Sequence, residues 1–251
     1  MALCIAGQFR NHFSTVFSGL NASLMQHHSV DVFVDTWDLL GQSAHGPRSS
    51  ASMERLNPNW FDYYPRLTWL RVERFPPRGS EELHGITMPA EVRKAGEPHF
   101  SSGTLPNAWK MMGCSTAIAE WEQSRRRPYD AVIKIRPDGT FWSDNLMRHL
   151  DAATHRIVQR QGSMQLYHSG ASIDSSFQVS DKYAVGTSPA MHYYLSVWKG
   201  MPTLWKEWAT RRQNSSARLV TGSTEWKRIP VGERLLRAHM RGATFPFTTF
   251  I

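Results

Sequence analysis

A charged turn follows the most apolar short segment of the chain. Residues 131–135 read Ala-Val-Ile-Lys-Ile, a run typical of a central strand that is covered on both faces. Arg136, Pro137 and Asp138 come next, and the strand should end there because proline has no N–H to donate to a neighbouring strand. Open α/β sheets bind ligands at the carboxyl ends of their strands, so Arg136 and Asp138 are predicted to form a ligand site. The alternative is that the two side chains pair with each other and only cap the turn.

Two further strands are predicted to end in polar or aromatic residues. The strands are residues 2–6 and 30–34, and the residues that follow them include Gly7, Gln8, Arg10, Asp35 and Trp37. The carboxyl ends of parallel strands lie at one edge of a sheet, so these turns should converge on a single cleft. Arginine binds phosphate in bidentate geometry, and carboxylates bind ribose hydroxyls or a divalent ion. The combination favours a nucleotide or nucleotide-diphosphate ligand, with Trp37 as a candidate for stacking on a sugar or base.

The helices that should connect these strands have clear apolar spacing. Residues 13–24 and 104–126 each carry an apolar stripe at helical spacing, and the second is the strongest helix signal in the chain. Asn107 and Lys110 lie in the first turns of that helix, where the N-terminal end is a natural site for an anion. The pattern predicts an α/β fold with a Rossmann-like, mostly parallel sheet and helices on both faces.

The rest of the chain is less regular. Residues 76–104 are rich in Pro and Gly, which predicts a long loop that acts as a lid or binding loop, with a disordered linker as the alternative. Residues 143–150 are predicted to be helical, residues 156–159 a short strand, and residues 244–250 an edge strand.

Composition limits the class of protein. The formal net charge is +8 and the sequence pI is about 9.8, which favours anionic partners such as nucleic acid, an anionic membrane or phosphorylated substrates. The charges are scattered, and the longest basic run, residues 125–127, closes a predicted helix where cations complement the dipole. A nucleic-acid partner is therefore not expected, since that hypothesis depends on the pI alone. Peripheral contact with an anionic membrane is compatible with the charge.

The two cysteines, Cys4 and Cys114, lie in apolar segments, which predicts buried thiols in a reducing compartment and a cytoplasmic protein. No apolar run reaches the roughly 18–20 residues that a membrane span needs. The motifs of dinucleotide-binding, P-loop, α/β-hydrolase and zinc sites are absent from the sequence, which weakens each of those interpretations.

Six short segments, in this order, resemble a group of glycosyltransferases from polysaccharide and surface-glycan gene sets and some large viruses. The segments are residues 6–10, 31–37, 107–110, 132–138, 180–186 and 232–236. The resemblance implies a GT-A-like fold, a single domain over residues 1–251 with a nucleotide-binding half at 1–140 and an acceptor-binding half at 141–251. It implies transfer of a sugar from a nucleotide-sugar donor to a glycan or lipid-linked acceptor in surface polysaccharide synthesis. The alternative is a non-catalytic nucleotide- or glycan-binding module on the same fold.

The resemblance also implies a role for individual residues of the matched motifs. The predicted donor-binding residues are Gly7, Gln8, Arg10, Asp35, Trp37, Asn107, Lys110, Arg136 and Asp138. Arg136 stands where many GT-A enzymes carry the first aspartate of a metal motif. Asp138 alone could hold Mg²⁺ or Mn²⁺, or the Arg136 cation could stabilise the leaving diphosphate with no metal at all.

Asp181 and Glu233 are the candidate catalytic residues, because an inverting transferase needs a carboxylate as general base on the acceptor hydroxyl. The competing interpretations are that Asp181 is a turn or capping residue and that Glu233 only stabilises the start of a helix.

Overall fold

The computed structural model describes residues 1–9, 13–40, 54–75, 82–87, 105–137, 144–159, 166–169, 183–216, 236, 239–240 and 247–250. Seven strands form one sheet: β1 (Ala2–Ala6), β2 (Asp31–Trp37), β3 (Leu67–Glu73), β6 (Val132–Ile135), β7 (Leu166–Ser169), β8 (Tyr183–Gly186) and β9 (Phe247–Phe250). Two short strands, β4 (Glu82–Leu83) and β5 (Ile86–Thr87), pair as a separate hairpin.

The sheet is mixed but mostly parallel. Its strand order is β3-β2-β1-β6-β8-β7-β9, and β8 runs antiparallel to both of its neighbours while the remaining pairs are parallel. Strands β1, β2 and β6 are buried along their whole length, as expected of parallel strands that are covered on both faces. The carboxyl ends of β1, β2, β3 and β6 therefore lie together at one edge, here called the carboxyl edge. The opposite edge, where these strands begin, is called the amino edge.

Helices cover both faces of the sheet, which confirms the predicted α/β class. The α-helices are α1 (Phe13–Leu20), α2 (Leu105–Arg125), α3 (Asp144–Gln159), α4 (Ser188–Leu195) and α5 (Val197–Ser216). One core lies between the sheet and α2, α4 and α5, and it includes Phe33, Met111 and Leu195. The other core contains Leu20 of α1, Phe61 of a short 3₁₀ helix and Ile157 of α3. None of the helices in the described part of the chain is long and apolar enough to cross a bilayer.

Three local predictions differ from the structure. Strand β2 continues to Trp37, because its pairing with β3 extends to Trp37 opposite Glu73, so Asp35 lies in the strand rather than in a turn. Residues 156–159 belong to α3, which is longer than predicted, and not to a strand. Part of the predicted loop over residues 76–104 is the β4–β5 hairpin, whose tip has positive φ at His84 and Gly85.

The cysteines are both fully buried, as predicted, but the prediction of two free thiols is wrong. Cys4 of β1 and Cys114 of α2 form a disulfide, and their Cα atoms are 5.9 Å apart. The pairing follows from the fold, because α2 packs directly on β1 and brings residues 110 positions apart in the chain within disulfide distance.

At the amino edge, one carboxylate joins three elements. Asp31, the first residue of β2, accepts hydrogen bonds from Arg66 (2.8 Å), Arg125 (2.9 Å) and the Tyr129 hydroxyl (2.7 Å). Burial opposes ionisation of Asp31, but the hydrogen bonds from Tyr129 and Arg66, together with the charges of Arg66 and Arg125, lower its pKa overall. Because the folded-state pKa lies below the unfolded value, this carboxylate stabilises the fold above the unfolded pKa. The stabilisation is lost as pH falls through the folded pKa.

We expect Asp31→Asn to lower the free energy of unfolding by about 2 kcal/mol at pH 7, since the variant leaves the buried Tyr129 hydroxyl and two half-exposed arginines without a charged acceptor. The difference from the native chain should shrink between pH 7 and about pH 3, because below the ordinary aspartate pKa of about 3.9 protons bind the unfolded carboxylate in preference to the folded one. Urea unfolding at both pH values measures this. Asp130→Asn is the matched control, because its side chain is 46% exposed and 3.8 Å from Arg127. If Asp31→Asn lowered the free energy of unfolding equally at both pH values, the charge of Asp31 would not be the source of the stabilisation.

Candidate functional site

Three elements meet at the carboxyl edge around Gly7. Gly7 follows β1 and has a φ of +124°, a conformation that residues with a side chain rarely adopt. A Cβ atom at this position would lie 3.1 Å from Asn107 Oδ1 in the first turn of α2 and 3.5 Å from Pro137 Cδ after β6. This meeting point of Gly7, Asn107 and Pro137 is called the junction. It brings together the ends of β1 and β6 and the start of α2, as the sequence predicts.

Hydrogen bonds tie the β1 side of the junction to the end of β2, and Arg136 precedes Pro137 in the chain. The Gly7 N–H donates to the Asp35 carbonyl oxygen (3.0 Å), and Gln8 Nε2 donates to the Leu39 carbonyl oxygen (3.0 Å). Arg136, next to Pro137, is partly buried. A cation beside the N-terminal end of a helix is suited to binding an anionic group.

Beneath the junction lies a network of two acids and two bases, here called the ion-pair network, in which two side chains are fully buried and two are partly exposed. It consists of Asp35, Arg71, Glu73 and Lys110. Arg71 binds both carboxylate oxygens of Asp35, with 3.1 Å between Nε and Oδ1. Lys110 Nζ lies 2.9 Å from Asp35 Oδ1 and donates to Glu73 Oε2 at 2.5 Å. The side chains of Asp35 and Lys110 are fully buried, so each depends on the other for its charge balance.

Burial and pairing shift the pKa values in this network in different directions. Burial raises the pKa of Asp35 despite the opposing effects of Arg71 and Lys110, and burial lowers the pKa of Lys110 despite Asp35 and Glu73. Burial also opposes ionisation of Glu73, but hydrogen bonds from Lys110 and Trp109 outweigh it and lower the pKa of Glu73. The two positive and two negative groups compensate one another, which lowers the free-energy cost of burying Asp35 and Lys110.

Aromatic rings enclose the ion-pair network. Lys110 Nζ is 3.9 Å from the centre of the Trp37 ring, and the Arg71 guanidinium carbon is 5.1 Å from that of Trp109. The β4–β5 hairpin also reaches this region, because its His84 ring stacks on Trp109 with centroids 3.9 Å apart. Trp109 Nε1 donates to Glu73 Oε2 at 2.8 Å.

The predicted donor-binding residues and the two candidate catalytic residues fall into three groups. Gly7, Gln8, Asn107 and Arg136 lie at or beside the junction. Asp35, Trp37 and Lys110 lie inside the protein, where they contact each other and β3 rather than lining a surface. Arg10, Asp138, Asp181 and Glu233 lie outside the described residues. Contact of these residues with a donor stays a prediction.

Sequence reasoning missed the two members of the network on β3, Arg71 and Glu73. A signal was present: Trp69, Arg71 and Glu73 alternate with less polar residues, so they share one face of the strand. Two opposite charges on a face that meets a helix need partners, and Lys110 and Asp35 are those partners.

The sequence also gave no indication of a Ser–His–Glu row that joins α2 to α4. Ser115 Oγ lies 2.8 Å from His192 Nδ1, and His192 Nε2 lies 3.0 Å from Glu122 Oε2. Burial opposes ionisation of Glu122, but hydrogen bonds from His192, Ser188 and the Tyr129 N–H lower its pKa overall. Ser115 is 9% exposed, and the row ties the two helices together.

Metal binding at Asp138 stays a prediction. Asp35 is occupied by Arg71 and Lys110, and the described part of the chain contains no group of three or more His, Cys, Asp or Glu placed to hold a metal. Asp138, the predicted ligand, lies outside it.

Comparison of the chain with protein-family models, with curated proteins and with solved structures found no match. The geometry of the junction and the motifs in the sequence are therefore the basis for a functional proposal.

We expect Gly113→Ala to lower the free energy of unfolding by at least about 3 kcal/mol, because the new Cβ would overlap Asp35 Oδ2 and Arg71 Nη2 and break a buried ion pair. The matched control is Gly19→Ala in α1, where nothing lies within 4 Å of the new atom. That change should stabilise the helix by about 0.5–1 kcal/mol. Chemical denaturation measures both, and a mild effect of Gly113→Ala would show that α2 does not depend on this close approach.

Proposed function

We propose that this protein is a nucleotide-sugar-dependent glycosyltransferase with a GT-A-like architecture. Its donor would bind at the junction, and its acceptor would be a glycan or lipid-linked saccharide of a surface polysaccharide. The observation that carries the proposal is the convergence of Gly7, Asn107 and Pro137, with Arg136 beside them, at the carboxyl edge of a mostly parallel sheet. Open α/β sheets bind nucleotides at this edge.

The chemistry of the junction suits a diphosphate. At Gly7 the absence of a side chain lets Asn107 and Pro137 approach the backbone closely, which brings the start of the 21-residue α2 to the carboxyl edge, where its N–H groups can bind an anion. The Arg136 guanidinium supplies the positive charge that a departing diphosphate requires. In the proposed reaction an acceptor hydroxyl oxygen bonds to the anomeric carbon while the bond from that carbon to the diphosphate breaks. The hydroxyl proton passes to a carboxylate, for which Asp181 and Glu233 are the candidates.

The strand order supports two cooperating halves. Strands β1, β2, β3 and β6, which lie side by side, all come from the first 135 residues, and β7, β8 and β9 all come from residues beyond 165. The two groups join at the antiparallel pair of β6 and β8. This agrees with the division into a nucleotide-binding half and an acceptor-binding half that the resemblance implies.

The first test is a thermal-shift panel of nucleoside diphosphates and nucleotide sugars, with and without Mn²⁺. At a ligand concentration of 100 Kd, a ligand that binds only the folded state should raise the melting temperature by about 5 °C or more. Stabilisation by one base family, followed by release of the nucleoside diphosphate when an acceptor is added, supports the proposal. Binding of a donor without turnover would indicate that the protein is a non-catalytic binding module. If no ligand in the panel raised the melting temperature, both functions would be rejected.

Gly7→Ala should abolish the ligand-induced shift, because the new side chain is strained at a φ of +124° and presses against Asn107 Oδ1. Gly85→Ala is the matched control: its φ is +79°, so it carries similar backbone strain, but nothing lies within 4 Å of the new atom. Both variants should lose some stability, and only Gly7→Ala should lose the ligand shift, as measured by the same thermal assay. If the ligand raised the melting temperature of both variants equally, the nucleotide would not bind at the junction.

A further inference from the structure

The amino edge of the sheet, opposite the junction, gathers arginines that are far apart in the chain. Exposed arginines are found just before β3, at the end of α2 and in the last turn of α3; they are Arg66, Arg125, Arg126, Arg127 and Arg156. This set is called the basic edge. Asp31 lies between Arg66 and Arg125, which brings the start of β3 beside the end of α2. His155 contacts His28, which lies three residues before β2, so the end of α3 reaches the same edge from the other face of the sheet.

The basic edge keeps most of its charge exposed. The side chains of Arg66, Arg125 and Arg127 are 53%, 45% and 71% exposed. Among the described residues, two carboxylates pair with this set: Asp31, which is itself buried, and Asp130, which is 3.8 Å from Arg127. Within the described chain, the Arg126 guanidinium has no ion-pair partner.

Arg126 has a left-handed backbone conformation, which carries an energetic cost for a residue with a side chain. Its φ is +52°, and the N–H groups of Arg126 and Arg127 donate to the carbonyl oxygens of Gln123 and Glu122. This is the helix-ending turn in which the left-handed residue is usually glycine. Arg125 and Arg127 already supply cations at the helix end, so complementing the helix dipole does not require a third arginine at the strained position.

An exposed tryptophan lies beside these charges. Trp121 is 40% exposed and is one helical turn before Arg125, so the two side chains are neighbours on the surface of α2. Tryptophan among basic residues is typical of surfaces that rest on the headgroup region of a bilayer, where the ring is half apolar and half polar.

We propose that the basic edge is a docking surface for an anionic phospholipid membrane. The arginines come from three elements on both faces of the sheet, so they spread across an edge and suit a plane of phosphates. The basic residues of a nucleic-acid site would instead line a channel that follows the sugar-phosphate backbone of one strand, or lie on one helix or strand that enters a groove of the duplex. Docking through this edge turns the junction, at the opposite edge, towards the aqueous phase.

The test measures co-sedimentation of the full chain with phosphatidylcholine vesicles and with vesicles that contain roughly 30% phosphatidylserine. The native chain should bind the anionic vesicles and not the neutral ones. Arg126→Gly should weaken that binding about fivefold, and adding Arg127→Gln should weaken it about 25-fold. Since glycine is preferred at this φ, Arg126→Gly should have the same or a higher melting temperature, so a loss of binding cannot be attributed to unfolding.

Lys199→Gln is the matched charge control. Lys199 is exposed and adjoins Trp198, which contacts Trp109 near the start of α2, so it lies towards the opposite end of the molecule. Its removal should leave vesicle binding unchanged, whereas Trp121→Ala should weaken it. Three results would overturn the proposal: Arg126→Gly binding as tightly as the native chain, Lys199→Gln weakening binding as much as Arg126→Gly, or tighter binding to duplex DNA with the same dependence on the arginines.

Discussion

The contact between Lys110 and Asp35 fixes where α2 can lie. Both side chains are fully buried, so the helix cannot shift along the sheet without leaving a charge unpaired in the interior. Arg71 and Glu73 complete the network from β3, and Gly113 lets the helix backbone approach the pair closely. Once α2 is held in this position, its first turn reaches Gly7 and Pro137. The geometry of the junction is thus a consequence of an ion-pair network that lies below it.

The elements with strong local signals were predictable from sequence. Strand β1 and helix α2 agree with their predicted bounds within a residue, because each has an uninterrupted apolar pattern of the right period. The predictions failed where long-range pairing decides the outcome. Asp35 and Trp37 look like turn residues, yet β2 continues through them because β1 and β3 pair with it on both sides. The disulfide likewise depends on how α2 crosses β1, which apolar spacing does not reveal.

The candidate site was predictable in outline but not in the roles of its charges. Gly7, Asn107 and Arg136 stand where the ends of parallel strands and the start of a helix were expected to meet. Lys110, in the same helical turn, looked equally suited to an external anion. A lysine near a helix start has the same appearance in sequence whether its anion is a ligand or a buried carboxylate. Only the spatial position of Asp35 and Glu73 distinguishes the two cases.

The disulfide joins two of the three elements that form the walls of the junction, β1 and α2. Cys4 lies in β1 three residues before Gly7, and Cys114 lies in α2 seven residues after Asn107. These two walls are therefore covalently joined and should behave as one rigid unit. The third wall, which follows β6 at Pro137, has no such link to either of them among the described residues. In the described part of the chain, strand β6 is held to β1 by strand pairing alone, whereas the β1–α2 side, which the disulfide also joins, would keep its shape between the empty and the occupied states.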